Sequence, residues 1–206
     1  MTRHLDIHPK DPEPRKVAQA VDVLRSGGLI AYPTDSGYAL GASPGNKEAI
    51  ERITRIRRID KKHHFTLVCH DFAQLGSVVI VDNSEFRLIK SLTPGPYTFI
   101  LRATKEVPRM MVHPKKLTVG VRIPDHPVAL ALVRELGEPI LSSTLILPEQ
   151  NAPMSEGWMV ADEVGHALDV VIDSEVTSTE PTTVVDLSSG EPVVAREGAG
   201  DTSRFE

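Results

Sequence analysis

The chain has 206 residues, 40% of them hydrophobic and 25% charged, and a net charge of −5. This is the composition of one globular domain, and it excludes disordered, collagen-like and coiled-coil chains. A single cysteine excludes an internal disulfide and a thiolate-rich zinc site. The first residues lack the apolar region of a signal peptide, and no apolar run approaches the roughly 20 residues of a membrane helix, so we expect a cytoplasmic protein.

Basic residues concentrate in the middle of the chain. Residues 52–122 carry 14 basic and 5 acidic side chains, whereas residues 123–206 carry 3 basic and 16 acidic ones. A basic segment in an acidic protein indicates a local site for anions, such as nucleotide phosphates or an RNA backbone. The alternative is that the acidic segment folds against the basic one.

Hydrophobic periodicity predicts an irregular alternation of helices and strands. Apolar residues three and four positions apart indicate helices, two of which end at Gly27 and Gly137, and short bounded apolar runs indicate strands. The late strands lie close together, so we expect one α/β domain with a mixed sheet rather than a regular doubly wound fold. The predicted helices cover residues 14–26, 47–58 and 127–136, with two short helices capped by Asp71 and Ser84, and the predicted strands cover 29–32, 65–69, 97–103, 118–123, 140–147, 170–172, 183–187 and 192–196.

Three segments are predicted to be irregular. The first residues, with His4 and His8 beside a proline, read as a solvated tail. Residues 32–41 read as a loop that offers hydroxyl and backbone N–H groups to a ligand, a plain turn being the alternative. Residues 149–158, rich in Pro, Gly and polar side chains, read as a mobile loop.

Cations crowd the end of the predicted helix 47–58, where Arg55, Arg57 and Lys61 follow one another closely. The arginine guanidinium is suited to bidentate phosphate binding. A solvated helix end is the alternative, because cations favour helix C-termini in any case.

Arg122 interrupts an apolar strand, and a charge in such a place needs a partner. We expect the partner to be the carboxylate of an anionic substrate. A structural salt bridge to Asp125 or Asp186 is one alternative, and a solvent-facing edge position is another. In the preceding strand, Thr98 is the one side chain that suggests chemistry.

These stretches, in this order and spacing, resemble the YrdC/YciO-type family of threonylcarbamoyl-adenylate synthases, and the YciO-like branch most closely. The resemblance extends from about Pro14 to Phe205 and is strong because several ordered motifs carry it together. The motifs are Phe65-Thr-Leu, Val81-Asp-Asn83, Thr93-Pro-Gly, Pro181-Thr-Thr-Val-Val-Asp186 and Arg196-Glu-Gly-Ala-Gly-Asp201.

The resemblance implies a single YrdC-like domain over residues 1–206, with a twisted mixed open sheet, helices packed on it and a basic concave face. It implies no additional C-terminal domain. The implied activity is the synthesis of threonylcarbamoyl-AMP from ATP, L-threonine and bicarbonate, with Mg²⁺ accompanying ATP and pyrophosphate released. The product serves the modification of adenosine in tRNA. Members of the family also bind double-stranded RNA, so tRNA or double-stranded RNA is a further expected partner.

The resemblance also implies which residues form the site. No catalytic base or nucleophile and no protein-bound metal is expected, so positioning and charge stabilisation would carry the reaction. The residues expected to bind ATP and its phosphates are Arg55, Arg57, Lys61, Thr98, Thr144 and Arg196. Those expected to bind threonine are Thr34, His70, Arg122 and Thr183. We expect Thr34, Arg57, Thr98, Arg122 and Arg196 to line one cavity.

Two departures from the family pattern fall in the expected substrate pocket. The family sequence Ser-Ala-Asn is replaced by Thr144-Leu145-Ile146, and the loop Pro33–Leu40 lacks the second threonine and one glycine. The lost asparagine amide predicts weak synthase activity. Two alternatives are an RNA-binding protein of the same fold without this activity, and an enzyme acting on another carbamoyl or nucleotide substrate.

Overall fold

A computed structural model describes residues 1–60 and 63–205, whose strands form one mixed sheet. Each strand has two to seven residues, and most strand residues are buried, as expected for a sheet with helices on its faces. The strands are β1 (Arg3–Asp6), β2 (Ile30–Thr34), β3 (Gly37–Ala42), β4 (Thr66–Val68), β5 (Val79–Ile80), β6 (Tyr97–Ala103), β7 (Thr118–Arg122), β8 (Ile140–Thr144), β9 (Val170–Asp173), β10 (Thr183–Asp186) and β11 (Val193–Arg196).

The sheet order is β1-β9-β2-β3-β8-β4-β7-β6-β10-β11, with β5 paired to β6. Parallel pairs join β1 to β9, β9 to β2, β4 to β7 and β6 to β10, and the other pairs are antiparallel. The predicted single-domain α/β fold with a mixed open sheet is confirmed. Strands far apart in the sequence therefore meet in the middle of the sheet, where a site can collect residues from many segments.

Capping residues set the ends of the helices. Asn46 and Asp71 accept hydrogen bonds from backbone N–H groups three residues later, and Gly137 ends a helix with φ of 80°. Asp82, rather than the predicted Ser84, caps the fourth helix in a capping box. The helices are α1 (Pro14–Arg25), α2 (Lys47–Arg57), α3 (Phe72–Val78), α4 (Asn83–Leu92), α5 (Pro127–Leu136) and α6 (Gly157–Val164).

The helices cover the two faces of the sheet unequally. One face packs against α2, α3, α4 and α6 in a large apolar cluster that includes Phe99 and Val121. The other face packs against α1 and α5, whose cluster reaches Val68 on β4 but contains no residue of β6, β7 or β10. Because Arg122 pairs with Val68 in register, it lies on this second face, beyond the helices. The uncovered part of that face is the floor of the candidate site.

Several predicted irregular segments are ordered. The N-terminal tail is the edge strand β1, paired with β9, and residues 37–42 form β3, buried between β2 and β8. Residues 157–158, assigned to the loop, begin α6. The first two predictions were wrong because strand pairing with distant partners decides the structure there. The predicted loop is confirmed as irregular over residues 149–156 and wrong only for the last two residues. No helix in the described part of the chain has the length and apolarity needed to cross a bilayer.

Candidate active site

A cavity of about 400 Å³ lies on the uncovered part of the sheet. This volume is within the range of about 300–1,000 Å³ that small-molecule sites occupy. Side chains of the central strands form its floor, and the end of α2 together with residues 63–65 forms a wall. Six of the residues predicted for the site line this cavity: Thr34, Arg57, Thr98, Arg122, Thr144 and Arg196.

Arg122 lies at the end of β7 and is buried in an ion pair with Asp35. Its Nη1 also lies 3.3 Å from the hydroxyl of Ser36, and Asp35 accepts the backbone N–H of Asp125 at 2.9 Å. The partner of Arg122 within the protein is therefore the carboxylate of Asp35, whereas the sequence predicted a substrate carboxylate. The alternative of a structural salt bridge holds, but with Asp35 in place of Asp125 or Asp186, and the alternative of a solvent-facing position was wrong. The Nε of Arg122 is buried and has no hydrogen-bond partner among the described residues.

The tight turn between β2 and β3 positions Thr34. Its hydroxyl donates to the carbonyl of Gly37 at 2.7 Å and accepts the backbone N–H of Ser36 at 2.9 Å. Gly37 has φ of 81°, which a residue with a side chain rarely adopts. Since its proton is already donated, the Thr34 hydroxyl is left with acceptor capacity for a ligand N–H.

Arg57, the last residue of α2, extends into the cavity beneath β8. Its guanidinium donates to the Ser143 hydroxyl at 2.5 Å and to the Ile146 carbonyl at 3.4 Å, and its Nη1 lies 3.2 Å from Nε2 of His63. Burial lowers the pKa of Arg57 from its ordinary value. No ion pair is found for Arg57 in the described part of the chain, so the cation is oriented without being neutralised.

Arg196 approaches the cavity from β11, at the other side of the floor. Its guanidinium donates to the carbonyl of Thr182 at 2.8 and 3.2 Å and to its hydroxyl at 3.1 Å. The Thr182 hydroxyl in turn lies 3.0 Å from that of Thr98. Burial, and then the nearby charge of Arg122, lower the pKa of Arg196. Two guanidinium groups therefore converge on the same space.

The charges around the cavity are strongly unbalanced. Among the described lining residues the one carboxylate is Asp186, and it lies 4.0 Å from Lys116. The lining cations are Arg57, Lys116, Arg122 and Arg196, accompanied by His63, His64 and His113. A cavity of this kind favours a ligand that carries several negative charges.

Three of the predicted site residues that the structure describes do not line this cavity. Arg55 lies in a separate surface depression with Glu163 and His166. His70 is held by Gln74 and Asp71 at the start of α3. The cations of α2 that the sequence grouped therefore point in different directions around the helix.

Thr183 is fully buried on the other face of the sheet. Its hydroxyl donates to the carbonyl of Gly200 at 2.7 Å and accepts the N–H of Gly198 at 3.0 Å, so it anchors the C-terminal segment. The neighbouring Thr182 takes the place in the cavity that the sequence gave to Thr183. The remaining predicted site residue, Lys61, lies outside the described residues.

The structure adds lining residues that the sequence did not single out. For Thr182 the alternation of side chains along a strand was an available signal. Residues two and four positions apart share a face of the sheet, so Thr182 lies on the same face as the charged Asp186. No local signal marked the others, since their loops reach the cavity only through the fold. The added residues include Ser143, Thr182, His63, His64, His113 and Lys116.

The fold and this cavity define a class: an α/β protein whose open mixed sheet carries a recessed cavity lined by cations. Residues 22–198 match the family model that covers the Sua5, YciO and YrdC proteins and is described as telomere recombination. The chain belongs to this family.

Relatives of similar length cover the whole chain. A protein of Haemophilus influenzae is 48% identical over 206 residues, all of both chains. The crystal structure of YciO from Escherichia coli is 47% identical, covers 100% of both chains and superposes with a TM-score of 0.95. The YciO-like resemblance predicted from the motifs is thus confirmed.

More distant relatives include proteins named for an activity. A threonylcarbamoyl-AMP synthase of Coxiella burnetii is 28% identical over 88% of this chain and 97% of its own. The crystal structure of P. abyssi Sua5 complexed with L-threonine is 27% identical and has a TM-score of 0.87. It covers 96% of this chain and 58% of that longer one.

Proposed function

We propose that the protein is a nucleotidyltransferase that forms threonylcarbamoyl-AMP from ATP, L-threonine and bicarbonate for the modification of tRNA. The observation that carries the proposal is the convergence of Arg57, Arg122 and Arg196 on one cavity. In the described part of the chain only Arg122 of these three has a carboxylate partner. The names of the distant relatives, and the L-threonine in the P. abyssi structure, support the choice of substrates.

Each cation has a task in this reaction. Arg57 binds the phosphates of ATP, and Arg196 with Thr98 and Thr144 binds the nucleotide side. Arg122, which lines the same cavity, binds the carboxylate of threonine. The Thr34 hydroxyl, whose proton is already donated, accepts an N–H of the threonine amine.

The chemistry brings two anions together. The threonine nitrogen attacks the carbon of bicarbonate, water leaves, and an oxygen of the resulting carbamate attacks the α-phosphorus while the bond to pyrophosphate breaks. Guanidinium groups lower the repulsion between the carbamate and the phosphates, and they hold both in reach. Mg²⁺ enters with the phosphates of ATP, because Asp186 is the one carboxylate among the described lining residues and it faces Lys116.

The site supports a slow enzyme rather than an efficient one. Ile146 lines the cavity where the family pattern has asparagine, and its side chain offers no hydrogen bond to the substrate. One hydrogen bond missing from a desolvated site costs about 1–3 kcal/mol, or about tenfold in rate for each 1.4 kcal/mol.

The decisive experiment is pyrophosphate release from ATP, measured with and without threonine and bicarbonate, with the adenylate product identified by mass. We expect slow release that requires both. A panel of the other amino acids in the same assay tests whether threonine is the true substrate. Binding of ATP without release in the presence of any amino acid would contradict the synthase proposal.

A surface feature favours RNA as a second ligand. The segment between β6 and β7 exposes Lys105, Arg109, Lys115 and Lys116, against the single acid Glu106. RNA phosphates would bind such a surface with weak affinity that falls steeply as salt rises. Electrophoretic mobility of tRNA at 50 and 200 mM salt tests this, and an affinity independent of salt would contradict it.

A further inference from the structure

One wall of the cavity carries basic side chains to which the proposed reaction assigns no role. The loop after α2 and the turn before β7 form it. Its described residues are His63, His64, His113 and Lys116. The backbone N–H of His113 donates to the carbonyl of Thr118, which begins β7, at 2.8 Å. Arg122 ends the same strand, about 13 Å along the backbone, so this wall and the Arg122 end are separate parts of the cavity.

The turn determines which nitrogen of His113 carries the proton. Its Nδ1 accepts hydrogen bonds from the backbone N–H groups of Lys115 at 3.2 Å and Lys116 at 3.0 Å. An accepting nitrogen has no proton, so the neutral ring carries its N–H on Nε2. Within the described residues no acceptor is found for that N–H. His113 therefore has a donor available to a ligand in the cavity.

The neighbours of His113 add donors and charge. The ring of His64 stacks on it, with centroids 5.0 Å apart and planes at 27°. Lys116 is exposed and lies 4.0 Å from Asp186, a carboxylate that also accepts two hydrogen bonds from Ser188. Because this pairing is loose and solvent-exposed, it leaves Lys116 able to turn toward an anion.

His63 supports the same wall in another way. Since arginine only donates, the His63 Nε2 at 3.2 Å from Arg57 accepts, and the ring is neutral. Burial, and then the Arg57 charge, lower the pKa of His63 to about 4. Together with Ser143 and the Ile146 carbonyl, His63 holds Arg57 in one orientation.

We propose that His64, His113 and Lys116, together with Arg57, form a subsite for the two terminal phosphates of ATP and for the pyrophosphate that leaves. This inference rests on the proposed function and names residues for a step that it left unassigned. Phosphate oxygens accept hydrogen bonds from the Nε2–H of His113 and from the cations Arg57 and Lys116. The nucleoside monophosphate part occupies the region of the cavity lined by Thr98, Thr144 and Arg196, so the wall selects di- and triphosphates over monophosphates.

The chain contains a matched control for His113. The sequence His8-Pro9-Lys10 repeats His113-Pro114-Lys115, and Nδ1 of His8 likewise accepts two backbone N–H groups, at 3.3 and 3.0 Å. His8 is exposed and lies in the N-terminal segment, outside the cavity. Asparagine at either position keeps an acceptor for the turn but removes the ring and its outer N–H.

The test is calorimetric titration of the full chain with inorganic pyrophosphate and, separately, with AMP. We expect H113N to raise the Kd for pyrophosphate at least about tenfold, the scale of one lost hydrogen bond to a charged group. K116Q should raise it as well, and it serves if H113N does not fold. The Kd for AMP should stay unchanged in both variants, and H8N should bind both ligands like the wild type.

Three results would overturn the inference. Unchanged pyrophosphate binding in H113N and K116Q removes the subsite, and an equal loss for AMP shows a general charge effect instead. Duplex RNA that binds through these residues, with no pyrophosphate binding by the wild type, would assign the wall to a macromolecule. Because the titration uses neither threonine nor bicarbonate, a subsite that binds pyrophosphate without any synthase turnover would reject the proposed reaction alone.

Discussion

The replacement of Arg122 by alanine separates a structural role of this residue from a role in substrate binding. Arg122 is buried against Asp35, and its Nε is left without a partner among the described residues. The variant leaves the Asp35 carboxylate in the interior with the Asp125 N–H, at 2.9 Å, as its main remaining donor. A buried carboxylate that loses its cation is strongly destabilising.

The magnitude follows from the burial of the pair. Breaking a buried ion pair by removing one partner costs about 3–5 kcal/mol. For a chain of this length each kcal/mol lowers the melting temperature by about 2–4 °C, so Arg122→Ala should lose about 6–20 °C. Adding Asp35→Asn removes the stranded charge, and the double variant should regain part of that stability. Threonine affinity should fall by about 2–4 kcal/mol, because the carboxylate loses a desolvated charge partner.

Two measurements on the same four proteins decide the question. Urea denaturation of the wild type, the two single variants and the double variant gives the free energies of unfolding, and calorimetry gives threonine and ATP affinities. We expect the double variant to recover stability without recovering threonine affinity, and ATP binding to change little. Arg122→Lys should rescue only in part, since the two-pronged guanidinium is lost. Wild-type threonine affinity in the double variant would show that Arg122 serves the fold alone.

Three further predictions concern other parts of the cavity. Arg57→Ala should weaken ATP binding by about 1.5–3 kcal/mol, whereas Arg55→Ala, two residues earlier and outside the cavity, should not; equal losses in titrations would contradict the placement. Ile146→Asn should raise threonine-dependent pyrophosphate release about tenfold, and an unchanged rate would show that the amide is dispensable. The free energy of unfolding should fall as the pH drops from about 6.5 to about 4, because unfolded His63 takes up a proton before the folded residue does. His63→Gln should make the urea midpoint of unfolding depend less on pH in this window. A pH profile equal to that of the wild type would exclude His63 as the cause.

Elements with strong local signals were predictable from the sequence. Helix α5 has its predicted bounds, because Pro127 suits the first turn and Gly137 ends the helix with positive φ. Asn46 likewise marks the start of α2 through its own side chain. In the same way, Thr98 and Arg122 could be chosen for the site because each interrupts an apolar strand.

Features that depend on distant pairing were not predictable. Asp35 and Arg122 are 87 positions apart in the chain, and only the assembled sheet brings them together. The edge strand β1 is polar and short, so nothing in its own sequence distinguishes it from a tail. The sequence assigned to Thr183 the place in the cavity that Thr182 occupies. Neighbouring residues of a strand point to opposite faces of the sheet, so an error of one position moves a side chain out of the site.

The order of the strands has a consequence for synthesis on the ribosome. Tyr97 of β6 pairs with Thr183, and Arg3 of β1 pairs with Val170. The ribosome must therefore add 167 residues after Arg3 before β1 can pair with β9. At about 5–20 residues per second that is about 8–33 seconds during which β1 has no partner strand. Topologies of such high contact order fold slowly and expose aggregation-prone edges. We therefore expect the nascent chain to depend on chaperones, and to acquire nucleotide binding only once the strands that carry Thr182 and Arg196 have emerged.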